Sequence, residues 1–558
     1  MTSSSRETSV ARENDPVLSS DQHTSYDVVV VGLGPVGAAA AQLLAREGLT
    51  VLAVDPSRQP YDKPRAIGID HEALRLLQKL SITDELSLYM GPYKTSEYRS
   101  AAGQVLRRIV PQPEPHPLSW PPYSTFIQPE LERLLRGSFD RWPTLDVTLG
   151  SRVLTVEQNP DEASVTIEDV DTGTKRLVTC RYVVGCDGAW SPVREAMGLQ
   201  LEDLKFDEPW LVVDVLVNET ADLPDAIIQY CDPVRPCTYV RGPADLRRWE
   251  IMLLPDENPT DMVDEKVIWS LLARWMTPDQ GRIWRAATYR FHALVGKQWQ
   301  RGRVFIAGDA AHQTPPFMAQ GLNQGLRDVA NLCWKIGEVL KHGADPALLK
   351  TYDEERRPNA RAVIELTKTF GQVICEREPG AAAERDKRLL EEMQAGRGEI
   401  VRQDLLPPLV GGLLLKDATG GHAPGTGTVF PQPLVITSEG ERRMDDVIDA
   451  RFLLVAETGW APTAPDRVLA DRLGVTLACV AEAPVDGIVT LADTSGLIES
   501  WMSRNGVKAV LVRPDHVVFG SVRAAADVSG LLGALEHALR NPDRTKTEAG
   551  PDQMSEVH

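Results

Sequence analysis

Long apolar runs are missing from this 558-residue chain. No stretch approaches the roughly 18 consecutive apolar residues of a membrane span, so no membrane partner is expected. Cysteine is scarce and unpatterned: Cys180, Cys186, Cys231, Cys237, Cys333, Cys375 and Cys479 include no C-x-x-C pair. An odd, scattered set makes no disulfide framework and fits a reducing compartment. No histidine has metal-ligand spacing with another histidine or cysteine, so no metal is expected. Basic charge is in deficit, with 60 Lys and Arg against 79 Asp and Glu, a net charge of -19. Nucleic acids and anionic membranes reward the opposite balance, so neither is expected as a partner. The N-terminal MTSSSRETSVARENDPVLSSDQHT lacks the apolar core of a secretion signal. It reads as a disordered tail, as does NPDRTKTEAGPDQMSEVH at the other end. These absences point to a cytoplasmic protein.

What is present is enough chain for two or three domains, each with its own core. Ordered structure is expected from Tyr26, where YDVVVVG reads as a strand buried on both faces. A helix over Ala38 to Glu47 and a second strand, TVLAVD, ending at Asp55, complete a βαβ start. A helix is expected from His71 to Leu80, and another in QPELERLLR, where Pro129 sits at a position that needs no N–H. YVVGCDG, LVVDVLV and EIMLL read as strands of an inserted mixed or antiparallel sheet. RVFIAGD then returns to a buried strand, and a helix follows from about Gly321 to Lys341. A Gly- and Pro-rich stretch near residue 420 marks a boundary. Beyond it FLLVAE, TLACVAE, GIVTLAD, AVLVRPD and the helical SGLLGALEHALR describe a small α/β domain.

The first chemical signal is VVGLGPVG, which spaces Gly32, Gly34 and Gly37 as G-x-G-x-x-G with Leu33, Pro35 and Val36 between them. Gly32 permits a tight turn, Gly34 lets the backbone approach a pyrophosphate, and Gly37 lets the helix pack close to the strand. The helix N-terminus offers free N–H groups and partial positive charge to phosphates. Asp55 stands where a carboxylate accepts hydrogen bonds from a ribose diol. This motif indicates a dinucleotide and does not separate FAD from NAD.

Two later segments separate them. GCDGAWSPVRE places Asp187 after a strand, and RVFIAGDAAHQTPPFMAQGLNQGLRD places Gly308 and Asp309 at a strand end before a long turn and a helix start. With these three motifs in order, the chain resembles the single-component flavoprotein aromatic hydroxylases, the group that includes para-hydroxybenzoate hydroxylase. Within it, KPRAIGIDHEALRLLQKL, FIQPELERLLR, YRFHALVGKQWQRGRVFIAGDAAH and QGLNQGLRDVANLCWKI resemble the 3-(3-hydroxyphenyl)propionate hydroxylase-like branch, as does the appended domain with VLVRPD. That branch shades into hydroxylases of polycyclic aromatic polyketides.

The resemblance implies an α/β fold with a Rossmann-type FAD-binding domain, an inserted mixed β-sheet substrate domain and a C-terminal thioredoxin-like domain. Its expected bounds are a flavin module over 26–375 (FAD-binding 26–80, 125–200 and 298–375; substrate 81–124 and 201–297), a linker over 376–425 and the appended domain over 426–542. Residues 1–25 and 543–558 are the tails. The implied cofactors are FAD and, as transient reductant, NADH or NADPH. The implied partners are O2 and a small phenol resembling 3-(3-hydroxyphenyl)propionate, hydroxylated through a flavin C4a-hydroperoxide. A homodimer is left open. So is a non-catalytic flavin-binding module, which would oxidise no reduced nicotinamide in response to phenols.

Residue by residue, the family's DG segment maps to Asp187, which serves both cofactors, and its GD segment to Gly308 and Asp309 on the ribityl-pyrophosphate part of FAD. Arg65 and Gln128 match positions near the flavin and its pyrophosphate. Gly321, Leu322 and Asn323 match a helix start beside the N1 and C2-carbonyl edge of the ring, where a helix N-terminus stabilises anionic reduced flavin. Pro315 and Pro316 match a stiff turn over the flavin, and the Pro316 carbonyl is the expected contact to the substrate hydroxyl. For the proton of the phenol, His292 in YRFHA is one candidate, equally readable as a packed histidine. His312 reads as structural and His71 is weaker. Tyr230, Tyr239 and Arg241 lie in the expected substrate sheet, where Arg241 reads as a surface ion pair or a carboxylate contact. Cys479, alone in its domain, has no resolving thiol for dithiol exchange.

Overall fold

The computed structural model describes residues 25–417, 419–481, 485 and 487–542. The two expected tails lie outside the described residues, apart from Ser25.

The first strand, Ser25–Val31, is the middle of a mainly parallel sheet. Its order is Gln300–Arg301, Val304–Ile306, Lys175–Gly185, Ser25–Val31, Val51–Asp55 and Leu145–Leu149. Pairing is parallel from Val304–Ile306 across to Leu145–Leu149. A hairpin, Ser151–Gln158 with Ala163–Asp169, adds antiparallel to Lys175–Gly185. Val28, Val29 and Val30 are fully buried, as expected of a strand covered on both faces. Helices Pro35–Arg46 and Gly321–Lys341 pack against each other on this sheet. The first begins at Pro35, three residues before the expected Ala38, because Pro fits the first helical position and extends the helix to the glycine turn.

The second sheet has nine strands, with the long pair Leu201–Val217 and Gly281–Gly296 near one edge, where Gly281–Gly296 is flanked by the short strand His312–Gln313. From there it runs through Leu246–Met252, Cys237–Arg241, Ile227–Cys231, Ser96–Ser100 and Val105–Val110. It ends on Glu399–Val401, which pairs parallel with Val105–Val110 although 376–425 is expected to be linker. Alternation assigns its two faces. Leu211, Val213, Trp249 and Ile251 point one way, into a core closed by the helix Glu265–Leu272. Val212, Asp214, Arg248 and Glu250 point the other way, because register pairs Val212 with Glu250 and Asp214 with Arg248. That second face meets the dinucleotide domain.

The C-terminal sheet runs Val489–Leu491, Val475–Val480, Phe452–Ala456, Ala509–Val512, Val518–Val522. The first three strands are parallel and the last two antiparallel, the thioredoxin-like arrangement. Its core reaches into the flavin module: Trp334, on the long helix, stands edge-on to Phe452 at 5.7 Å. Beside it lies a buried ionic knot. Arg513 pairs with Glu355 at 2.7 Å and Asp515 at 2.6 Å, and Lys335 reaches Glu355 at 2.9 Å. Burial works against the Glu355 charge, but Arg513 and Lys335 overcome it and hold the carboxyl at about 2. Cys479 is buried, and no disulfide joins the seven cysteines. Among the described residues no helix is long and apolar enough to cross a membrane, and no His/Cys/Asp/Glu group is arranged to hold a metal.

Arg513→Met leaves the buried Asp515 carboxylate without its cation and Glu355 with Lys335 alone, so it is expected to destabilise the protein by about 3–5 kcal/mol. Thermal unfolding measures this, and an unchanged Tm contradicts it. Because the Glu355 pKa is lowered from 4.5 to about 2, its contribution is complete above pH 4.5 and disappears as pH falls towards 2.

Candidate active site

The three motifs meet backbone to backbone. Gly32 has φ +89°, and a Cβ there would lie 2.6 Å from the Cys186 carbonyl oxygen and 2.8 Å from Asp187 Cα. The glycine turn therefore touches the DG segment directly. A Cβ on Gly37 would lie 1.9 Å from the Gly32 oxygen, so only glycine allows the helix this close to the turn. Val36 completes the contact by packing against Gly308 and Gly325 of the third segment. Around Gly34, in contrast, a Cβ would meet nothing within 4 Å. There the backbone faces a cavity of about 620 Å³, a size common to cofactor sites.

That cavity gathers residues from all three motifs and from the facing sheet. Gly32, Gly34, Pro35, Val36, Asp55, Arg65, Gln128, Asp187, Asp309, Pro316, Gly321 and Leu322 all line it. The Asp55 carboxylate accepts from the Leu33 amide at 2.6 Å and the Ser57 amide at 2.7 Å, leaving further lone pairs towards the cavity. Asp187 accepts from Ser191 Oγ and, at 2.9 Å, from the Val193 amide, so it fastens the helix Pro192–Ala196. Burial raises its pKa. Asp309 opens onto the cavity and takes no hydrogen bond from any described residue. Enclosure by protein raises its pKa, while His312 and Arg65 pull it back.

Gln128 supports the wall, with Oε1 accepting from the Ala66 amide and Nε2 donating to Glu132 at 2.7 Å. Arg65 lies over the Tyr61 ring at 5.1 Å. The Pro316 carbonyl accepts from the Ala319 amide at 2.7 Å, closing the turn before the long helix. That helix starts at Gly321, as its sequence implies.

Leu33, Gly37, Gly308 and Asn323 shape the site from behind the wall. Asn323 is fully buried, donates to the Ala319 carbonyl at 2.8 Å and accepts from the Asp70 amide at 3.1 Å, fixing the helix start. His292 lies elsewhere. It is three residues beyond Tyr289 on the strand Gly281–Gly296, so alternation turns it to the opposite face from Arg285 and Tyr289. There it pairs with Asp207 at 3.4 Å and is half-exposed. His312 is fully buried against Asp328 at 2.8 Å. Tyr230 and Tyr239 bond Trp275 and the Pro224 carbonyl, and Arg241 pairs with Asp225.

Three lining residues were not among the expected site residues and matter to the site. Arg136 donates from Nε and Nη2 to the Leu33 carbonyl and from Nη1 to that of Ser57, while standing 3.6 Å from Asp55. It clamps the glycine turn to the second strand. Arg248 and Glu250 come from the facing sheet. Their signal was present in RRWEIM, where charged residues alternate with Trp249 and Ile251.

The fold and cavity define a dinucleotide-binding protein with a second sheet closing over the site. Residues 25–367 match the FAD binding domain family, and residues 427–538 match the HcaD C-terminal domain. A Rhodococcus jostii (strain RHA1) protein named "Probable NADH-specific resorcinol 4-hydroxylase" is 33% identical over 92% of this chain and 95% of its own. A 3-(3-hydroxy-phenyl)propionate/3-hydroxycinnamic acid hydroxylase 2 of Burkholderia vietnamiensis (strain G4 / LMG 22486) is 32% identical over 92% of this chain and 96% of its own. The fold is that of the flavin-dependent monooxygenase PieE, solved with FAD and substrate, with TM-score 0.76, 23% identity and coverage of 92% and 99% of the two chains. This chain belongs to the FAD-dependent aromatic hydroxylases. It is a flavoenzyme with the para-hydroxybenzoate hydroxylase-like architecture, to which an HcaD-type α/β domain is appended.

Gly37→Ala forces helix and turn apart, at a cost of about 1–3 kcal/mol or more. A lowered Tm is expected. An unchanged Tm contradicts the close contact.

Proposed function

We propose that the cavity lined by Gly34, Asp187 and Asp309 holds the FAD, and that the enzyme uses it to hydroxylate an uncharged monocyclic phenol of the resorcinol type. The observation that carries the cofactor site is the Asp309 carboxylate, which faces the cavity without a partner, beside an open backbone at Gly34. An unpaired acceptor suits ribityl hydroxyls, and an open glycine at a helix N-terminus suits a pyrophosphate. The chemistry that FAD would supply there is hydride acceptance from reduced nicotinamide and activation of O2 for transfer of one oxygen to the ring. NADH is our choice of reductant, in line with the name of the Rhodococcus relative.

The chain's own residues supply binding, orientation and exclusion of water. The helix start at Gly321 and Leu322 presents N–H groups and positive potential to the ring edge that becomes anionic. The Pro316 turn fixes the wall against which the substrate ring rests. Trp210, Phe206 and Phe291 pack around Phe317 behind that turn and keep it dry.

Charge on the facing sheet supports the choice between the relatives' phenols. Arg248 is committed to Asp214 and to the Pro64 and Arg65 carbonyls, so this wall offers no uncommitted guanidinium to a propionate group. Glu250 beside it disfavours a second carboxylate. The unpaired state of the cysteines supports a cytoplasmic location.

Two measurements test this reading. Asp309→Ala is expected to lose most of its flavin, seen as a fallen flavin-to-protein absorbance ratio; full occupancy would contradict the assignment. Product formation with NADH is expected to favour resorcinol over 3-(3-hydroxyphenyl)propionate by about tenfold or more in kcat/KM, the scale of one unpaired charge contact. A preference for the propionate would reverse the substrate choice, and no phenol-stimulated NADH oxidation would remove the function.

A further inference from the structure

The substrate sheet presents two side chains to the cavity, Arg248 and Glu250. Arg248 has Nε and Nη2 on Asp214, and its remaining bonds run to the Arg65 carbonyl at 2.8 Å and the Pro64 carbonyl at 2.9 Å. Glu250 is in the opposite condition. It is 7% exposed, yet its carboxylate takes no hydrogen bond from any described residue, and its nearest cation is Arg248 Nη1 at 3.9 Å. A buried carboxylate with free lone pairs facing a cavity calls for a donor from the ligand.

The other acids of the wall are placed differently. Asp55 holds two backbone amides, Glu132 accepts from Gln128, and Asp187 caps a helix. Asp309 lies on the dinucleotide domain, at the end of the strand Val304–Ile306. No histidine lines the cavity. Glu250 is thus the one acid the sheet brings to the cavity, whose lining also includes Thr314, Pro316 and the helix start at Gly321. Thr314 Oγ1, on the same cavity, is also buried without a partner.

We propose that Glu250 is a catalytic residue whose carboxylate accepts the proton of the phenol hydroxyl as the ring is hydroxylated. The phenol O–H bond breaks, an O–H bond forms on Glu250 Oε, and the electron pair left on the phenol oxygen makes the ring the nucleophile. The proton passes to water when product leaves. This rests on the phenol-hydroxylase reading above.

The groups around Glu250 are Arg248 on its own strand, Asp214 on the adjacent strand Leu201–Val217, Arg285 on the strand beyond that, and Tyr123; Cys237, on the other adjacent strand, lies on the opposite face with Ile251. Burial raises its pKa, Arg248 and Arg285 lower it, Asp214 raises it, and it settles at about 7. A base poised there is ionised above neutrality and protonated below, so hydroxylation should fall as pH drops through about 7.

The experiment compares the wild-type holoenzyme with E250Q, using NADH and two phenols of different acidity, resorcinol and 4-nitrophenol. With resorcinol, E250Q is expected to form product about 100-fold more slowly, the usual contribution of a general base. With 4-nitrophenol, which ionises unaided near neutral pH, the deficit should shrink to within about tenfold, and with resorcinol the acid limb near pH 7 should vanish in E250Q. Without turnover, resorcinol binding to the oxidised holoenzyme, followed by flavin absorbance, should tighten as pH rises through about 7 in the wild type and stay flat in E250Q. Equal losses with both phenols and an acid limb that E250Q retains with resorcinol would overturn the proposal, as would no loss at all. Should E250Q retain no flavin, E250D carries the test: a slower enzyme that keeps the acid limb supports the role, and one without the limb contradicts it. A wild type whose NADH oxidation no phenol stimulates would instead dispose of the underlying function, a result separable from any behaviour of the variants.

Discussion

Everything in this molecule is arranged around a contact between main chains. The glycine turn at Gly32 lies against the Cys186–Asp187 turn at distances that leave no room for a Cβ, and Gly37 brings the first helix equally close. Because these segments touch, the ends of three strands open onto one cavity. A side chain at either glycine would separate segments that a bound dinucleotide must bridge together. The acidic residues gathered there each have a different occupation. Asp55 ties down the turn, Asp187 ties down a helix, and Asp309 is left open to the cavity.

The second sheet gives this site its other wall, and strand alternation decides what that wall offers. Its hydrophobic face, with Leu211, Val213, Trp249 and Ile251, is spent on a private core. The polar face combines two arginines, Arg248 and Arg285, with the fully buried Asp214. Through Arg248 and Arg285 this cluster grips the Pro64 and Arg65 carbonyls, so the sheet is fixed to the loop that carries Arg65. The appended domain is joined by comparable means. Trp334 supplies apolar contact, and the Arg513–Glu355–Lys335 knot supplies a desolvated polar one. A buried knot of this kind adds little net energy over an apolar substitute, but breaking one member is costly. It therefore acts chiefly to fix the register of one domain on the other.

Much of this was legible in the sequence where local signals are strong. Continuous apolar strands, the glycine spacing and the Gly321 helix start each occupy the expected place, since every one depends on a few adjacent residues. The first helix begins earlier than read because Pro35 is a helix starter, not a breaker, at its first position. Long-range placement was harder. Arg136 is one of two arginines on its helix, and nothing local marks it rather than Arg133 as the one that reaches the Leu33 carbonyl. His292 drew notice by chemistry, yet the parity of its strand turns it to the face opposite Tyr289. The same parity places Glu250 on the cavity, a position that required knowing which face of the strand the flavin module covers.

The central claim is that three distant segments enclose one flavin. A crystal structure of the enzyme grown with FAD tests it most directly. The account expects density for the pyrophosphate beside Gly34, for the ribityl chain beside Asp309, and for the ring between Pro316 and the Gly321 helix start. Flavin density elsewhere, or a colourless crystal whose cavity holds only solvent, would contradict it.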